Sequence, residues 1–332
     1  MQIILLATIL IGFIPTFASA QKLTLAHVAI NPGQGLFWIV RDSGLLAKHG
    51  LSGDVVFIPG SPRTVQTLLA GEIDYAVVGA PAFLRARMQG ADVVVLASLS
   101  GFVSQRVVLR LDSPISSFKE LKGKTIGITQ YASAGDTFLR SALKKTGIKE
   151  SEVVILQLGG TTNVAQALES GKIEIGILGE SSSLLFYRGK AKPLKGGSSK
   201  EMGFTGLDAP LGTTERKFES DRNAVTRFMQ AYVEAIHYFK TNKAGTVRIL
   251  QKYMRGLSEE HLGMWVDDYK DSLKPLPYPD EDGLRSELEQ INAPKSPPPS
   301  HYINVTFLDE IKKSGFVEKL YPPSQKATGV NP

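Results

Sequence analysis

Two rhythms of apolar and polar residues take turns along this chain. Short apolar runs bounded by Gly, Pro, Asn or Ser predict strands. Stretches in which apolar residues recur every three or four positions predict amphipathic helices. The first half opens with a strand over residues 23–30 and a loop, Asn31-Pro32-Gly33-Gln34-Gly35. A helix is predicted through Phe37, Trp38, Val40 and Leu45, ending near His49-Gly50. A strand over 55–58 follows. Ser61 then reads as the cap of a helix with Pro62 at its first position and Gly71 as its stop. The third strand covers 75–78.

The same order returns in the second half. It runs strand 125–129, loop 130–135, helix 137–145 with a Gly147 stop, strand 153–158, helix from Thr162 with a Gly171 stop, and strand 173–178. The likeness extends to residue type. Gly60/Gly160, Gln66/Gln166, Leu68/Leu168, Gly71/Gly171, Ile73/Ile173, Asp74/Glu174 and Gly79/Gly179 match without a gap, one hundred positions apart. Strands alternating with helices pair in parallel through right-handed crossovers. Unbroken apolar strands such as Val153-Val154-Ile155-Leu156 predict a sheet covered on both faces. The expectation is an α/β chain of two lobes, each a parallel-rich sheet flanked by helices, facing each other across a cleft. Residues 107–111 carry the chain to the second lobe, and the stretch 204–213 carries it back. Gly196-Gly197-Ser198-Ser199 is read as a loop just before that return.

The last third is helical. Val225, Phe228, Met229, Tyr232, Ile236 and Phe239 keep helical spacing, and further helices are expected over 246–254, 258–273, 281–291 and 307–313. The expected organisation is a signal peptide (1–20), the first part of lobe 1 (21–105), lobe 2 (106–203), a return to lobe 1 with C-terminal helices (204–321), and a tail (322–332). An apolar run over 3–14 and Ala18-Ser19-Ala20 before Gln21 predict export with cleavage after Ala20.

Composition narrows the chemistry. The chain has no cysteine, which excludes disulfides, thiol nucleophiles and cysteine metal sites. The net charge of +6 is spread along the chain without a basic block, so nucleic acid gains no support as a partner. The five histidines, His27, His49, His237, His261 and His301, show no metal-binding spacing. No cofactor or metal is expected, and no catalytic group is assembled by any motif.

In open α/β sheets ligands sit beyond the carboxyl ends of the strands. The loops over 31–37, 60–64, 79–83, 130–137, 159–163 and 179–183 are therefore the candidate ligand loops. Several open helices, whose free N–H groups receive acid oxygens. Their hydroxyls include Ser61, Thr64, Ser133, Thr137, Thr161 and Ser181, each of which also fits an ordinary helix cap. Phe37 and Tyr131 are the aromatic candidates, with core packing as the other reading for Phe37. Glu180 stands just past a strand, placed either to meet an amino group or to sit at the rim in water.

With these motifs in place the chain resembles a known family. Phe37-Trp38-Ile39-Val40 leads to Gly44-Leu45-Leu46-Ala47-Lys48-His49-Gly50-Leu51. Val65-Gln66-Thr67-Leu68-Leu69-Ala70-Gly71-Glu72-Ile73-Asp74, Leu121-Lys122-Gly123-Lys124-Thr125-Ile126-Gly127-Ile128 and Ala231-Tyr232-Val233-Glu234-Ala235-Ile236 continue the likeness. They are similar to the nitrate/sulfonate/taurine-type solute-binding proteins of ABC importers, which share their fold with thiamine-pyrimidine synthase. The resemblance implies a two-lobed, type II periplasmic-binding-protein-like fold and no enzymatic activity. It implies a periplasmic monomer that closes on a small organic acid, zwitterion or heteroaromatic solute. Its partners would be a membrane permease and a cytoplasmic ATPase. Gln34, Ser61, Gly79, Tyr131, Ser133 and Glu180 are the contacts it implies. Two alternatives stand beside it: a synthase-like enzyme, whose family carries a cysteine-rich signature absent here, and a sensory protein feeding a receptor kinase.

Overall fold

The computed structural model describes residues 20–101, 103–179, 182–294 and 297–322. The expected signal peptide up to residue 19, Glu180 and Ser181, and the tail from residue 323 lie outside the described residues.

The first lobe opens with β1 (Gln21–His27), α1 (Leu36–Asp42), α2 (Leu45–Lys48), β2 (Leu51–Phe57), α3 (Ser61–Leu69), β3 (Tyr75–Val77), α4 (Ala80–Met88) and β4 (Val93–Ala97). The second lobe follows with β5 (Arg106–Arg110), β6 (Thr125–Ile128), α5 (Ala134–Thr146), β7 (Val154–Gln157), α6 (Thr161–Glu169), β8 (Ile175–Leu178), α7 (Ser183–Tyr187) and β9 (Ala191–Ser198). The chain then returns through β10 (Leu211–Thr214) and α8 (Glu215–Ser220) to α9 (Arg222–Thr241) and α10 (Lys243–Tyr253). It ends with α11 (Glu259–Lys270), α12 (Glu281–Gln290), α13 (Thr306–Lys313) and α14 (Phe316–Leu320).

The two sheets have matching orders, β2-β1-β3-β10-β4 and β7-β6-β8-β5-β9. Within each, the first three strands are parallel, as the alternation of strands and helices requires. The fourth differs from the expected parallel pairing. β10 runs antiparallel to β3 and β4, and β5 runs antiparallel to β8 and β9. Both enter their sheets directly from a crossover between lobes, without the helix that a parallel connection needs.

Helices cover both faces of each sheet. One face of the first packs on a core built with α1, α9, α10 and α11, where Tyr75 stacks on Phe228 at 3.9 Å and Trp38 on Tyr253 at 4.6 Å. Its other face packs on α3, α4 and α12 through Val65, Phe83 and Leu284. The second sheet is flanked likewise by α5 and α6. Two family-like motifs meet here. Lys48 and His49 both reach the carboxylate of Glu234 on α9, with His49 Nε2 at 2.9 Å. They carry the fold of lobe 1 rather than a ligand.

Four sequence expectations change. The helix running past Phe37 breaks at Gly44, whose φ of 80° is left-handed, so α1 and α2 are separate. Residues 196–198 belong to β9, where the register against β5 shifts and Gly196 at φ 72° allows the bulge. β7 is an edge strand rather than a covered one, with Val154 58% and Leu156 40% exposed. Ser61 is the first residue of α3 and does not cap it; Gly60 precedes it.

Candidate functional site

The parallel strands of both lobes point their carboxyl ends at one another, and the loops that follow them meet. Between them lies a cavity of about 90 Å³. Val28, Ala29, Asn31, Gln34, Ser61, Val78 and Gly79 line it from the first lobe. Thr129, Ser133, Ala134, Gly135, Thr161, Ile177 and Gly179 line it from the second. The crossover segments supply residues 103–105 and 207–210 as its back wall.

Each polar group is fixed by local bonding. Gln34 is 7% exposed, and its Oε1 accepts the amides of Val28 at 2.8 Å and Ala29 at 2.7 Å. That bond buckles the loop after β1 against its own strand. Ser61 Oγ accepts the Gly79 amide at 3.0 Å, which ties the start of α3 to the start of α4. Ser133 caps α5 by accepting the Asp136 amide at 3.3 Å and also receives the Thr129 hydroxyl at 3.0 Å. The first turns of α3, α5 and α6 thus converge on the cavity, and helix geometry leaves their leading N–H groups without internal partners. Those groups and the helix dipoles make the cavity receptive to acid oxygens.

The lobes touch around this cavity, and the repeated glycines are the points of contact. A Cβ on Gly60 would lie 2.1 Å from Gln130 of the other lobe. One on Gly79 would lie 2.8 Å from the Ala134 Cβ, and one on Gly160 would lie 2.9 Å from the Pro59 Cβ. Gly60 also has φ of 92°, so both its backbone and its surroundings favour glycine. Arg85 of α4 crosses the gap and donates to the Ala132 carbonyl and to Thr137 Oγ1, both at 3.2 Å. Ala132 itself holds φ of 62°, unusual for a residue with a side chain.

Of the sequence candidates, Gln34, Ser61, Gly79, Ser133 and Thr161 come together around the cavity. Phe37 does not. It is fully buried in the first turn of α1 and packs against Phe228 and Tyr232, the core role that helical periodicity also allowed. Tyr131 does not line the cavity either. It is 50% exposed, and its hydroxyl donates to the Ile155 carbonyl on edge strand β7 at 3.1 Å. Glu180 lies outside the described residues.

Sequence reasoning missed Asp208, the one ionisable side chain among the described residues lining the cavity. It missed the interlobe reach of Arg85 as well. Neither sits in the repeat or at a helix start, so no periodic signal marks them. Among the described residues no group of three His, Asp or Glu is placed to hold a metal ion, and no helix is long and apolar enough to cross a membrane.

Comparison with known proteins agrees with this architecture. The chain is 33% identical over 164 residues to "Putative binding protein BAB2_1146" of Brucella abortus (strain 2308), a match covering 49% of this chain and 50% of that one. The chain thus spans about half the length of the curated relatives it matches. Among solved structures, it superposes on the alkanesulfonate-binding protein SsuA from Xanthomonas axonopodis pv. citri with a TM-score of 0.71. The identity is 18%, and 87% of this chain and 100% of that one are covered. The desulfurization enzyme DszB shares the fold at a TM-score of 0.65 and 16% identity, covering 89% and 99%. At such identities the structures speak for the fold alone. The sequence model described as NMT1/THI5 like matches residues 33–244, from the loop after β1 to the start of α10, and the chain belongs to that family.

Proposed function

We propose that this chain is an extracytoplasmic solute-binding protein of an ABC-type importer. It captures a small organic acid, zwitterion or heteroaromatic solute between its lobes and presents it to a membrane permease served by a cytoplasmic ATPase. The observation that carries this reading is the interlobe cavity, with helix starts and hydroxyls from both lobes converging on it. The names of the Xanthomonas neighbour and the Brucella relative support it. Binding rather than turnover fits the lining groups, which are hydroxyls, amides, backbone and one carboxylate, without a His or Lys among the described lining residues.

In this reading the lobes hinge on the crossover segments and the contacts at Gly60, Gly79 and Gly160 form on closure. The protein works in the periplasm after cleavage behind Ala20, and the mass of the exported chain, beginning at Gln21, tests that step. Small-angle scattering tests the hinge. Protein stripped of solute by unfolding and refolding is expected to have a larger radius of gyration than protein purified with its solute. Identical profiles from two samples of proven different occupancy would oppose hinge closure.

A further inference from the structure

The polar side chains around the interlobe cavity are of two kinds. Gln34, Ser61 and Ser133 hold the protein's own amides with their side-chain oxygens. Ser104 and Gln105, on the outgoing crossover, line the same cavity, and among the described residues their side chains make no hydrogen bond. Strand register puts Gln105 there. β5 and β8 pair antiparallel with Arg106 opposite Leu178, so Gln105 stands opposite Gly179. Its backbone is fixed, because its carbonyl accepts the Ser199 amide at 2.8 Å and the Ser199 hydroxyl at 3.0 Å. The missing side chain opposite leaves room for its own. A Cβ on Gly179 would stand 3.0 Å from Gln105 Nε2 and 3.2 Å from Ser104 Oγ, and one on Gly135 would stand 3.5 Å from Gln105 Oε1. Gly135 and Gly179 both line the cavity, so the Gln105 amide is held at that wall. The repeated glycine thus serves differently in its two copies. Gly79 admits Ala134 of the other lobe, and Gly179 admits two polar side chains of the crossover.

We infer that Gln105, with Ser104 beside it, is a specificity residue that reads an amide edge on the solute: a carbonyl oxygen with an N–H syn to it, as in a carboxamide or a ureide. The inference rests on the solute-binding reading and names the solute class within it. A glutamine amide offers a donor and an acceptor side by side in one plane. A solute that displaces water from it must return both bonds, because a buried amide left unpaired is unfavourable. A carboxylate or a ketone returns only one. It answers Nε2 and the Ser104 hydroxyl but leaves Oε1 facing another acceptor. An amide edge answers both atoms. Acid oxygens of the same molecule belong at the first turns of α3, α5 and α6, where free N–H groups converge. The solute is then a small acid with an amide or ureide end directed to the crossover wall.

Two pairs of probes that differ only by an NH2 or a CH3 on the carbonyl test this: succinamate against levulinate, and ureidoacetate against N-acetylglycine. Each is titrated calorimetrically into the full mature chain, stripped of solute by unfolding and refolding. In at least one pair the amide member is expected to bind about 10-fold or more tightly than its methyl counterpart. Gln105→Leu, close in size but without hydrogen-bonding atoms, should bring the two members to equal affinity. Gln105→Glu, which keeps an acceptor for the solute N–H, should retain the preference. Thermal melts check that both variants fold. No preference for the amide member in either pair, or a preference that survives unchanged in Gln105→Leu, would overturn the role of Gln105 and leave the solute-binding reading intact. So would a wild type that carries a natively bound small molecule yet binds neither amide probe. A wild type that carries no small molecule and binds none of the four probes would overturn both.

Discussion

The hydroxyl of Ser61 sits where a helix cap was expected and does something else. It accepts the Gly79 amide across the strand–helix turn, so two of the repeated positions hold each other in place at the cavity edge. Ser61→Ala leaves that half-buried amide without its acceptor. The loss is expected to cost about 1 kcal/mol of stability, the net worth of a typical hydrogen bond, as read from urea melts. Unchanged stability would show that water or solute replaces the hydroxyl at no cost. Gly79 is legible in the sequence as a conserved spacing between the two copies, but its reason is not. Its φ of −71° is open to any residue; only the facing Ala134, more than fifty positions away, explains the missing side chain. Phe37 and Trp38 show the reverse case. Their helical periodicity spoke for the core, and both are buried there.

At the scale of elements, α4, α5 and α12 form a second contact between the lobes. Arg85 reaches from α4 to α5, and behind it Glu287 of α12 is 2% exposed. Burial raises the Glu287 carboxyl to about 8, opposed by the Leu207 backbone and Arg85. A carboxyl raised in the folded state holds its proton where the unfolded chain has lost it. Its contribution is therefore fully present below its ordinary 4.5 and lost as pH rises to about 8. Between those values stability should fall with a slope approaching roughly 1.4 kcal/mol per pH unit from this group. Glu287→Gln is expected to flatten that fall, so that its melting temperature exceeds the wild type's at pH 8 and not at pH 5. Parallel melting curves across this range would contradict the assignment. The elements themselves were largely legible, because each β–α unit carries its own turn and stop signals. What was not legible depends on neighbours. The break at Gly44, the bulge at Gly196 and the exposed edge of β7 are settled by packing and strand order rather than by local pattern.

At the scale of the whole molecule, the duplicated sequence becomes two sheets of matching strand order whose helix starts share one cavity. The repeat announced the lobes and the facing loops, because strands and helices in fixed alternation leave few ways to connect. It was silent on Asp208, which lies on a crossover outside both copies, and Tyr131 lies outside the cavity lining with its hydroxyl on β7. The central claim is that the closed cavity holds a solute and that the repeated glycines let the lobes meet around it. Native mass spectrometry of protein purified without denaturation from its exporting host tests this most directly, with wild type beside Gly79→Val. The Cβ of the added side chain meets Ala134 of the opposite lobe at 2.8 Å, closer than any contact it makes within its own lobe. Wild type is expected to carry one small molecule per chain, chemically unaltered on long incubation, and the folded variant to carry none. Equal occupancy in both proteins, or a bound molecule that the wild type converts to another, would contradict the account.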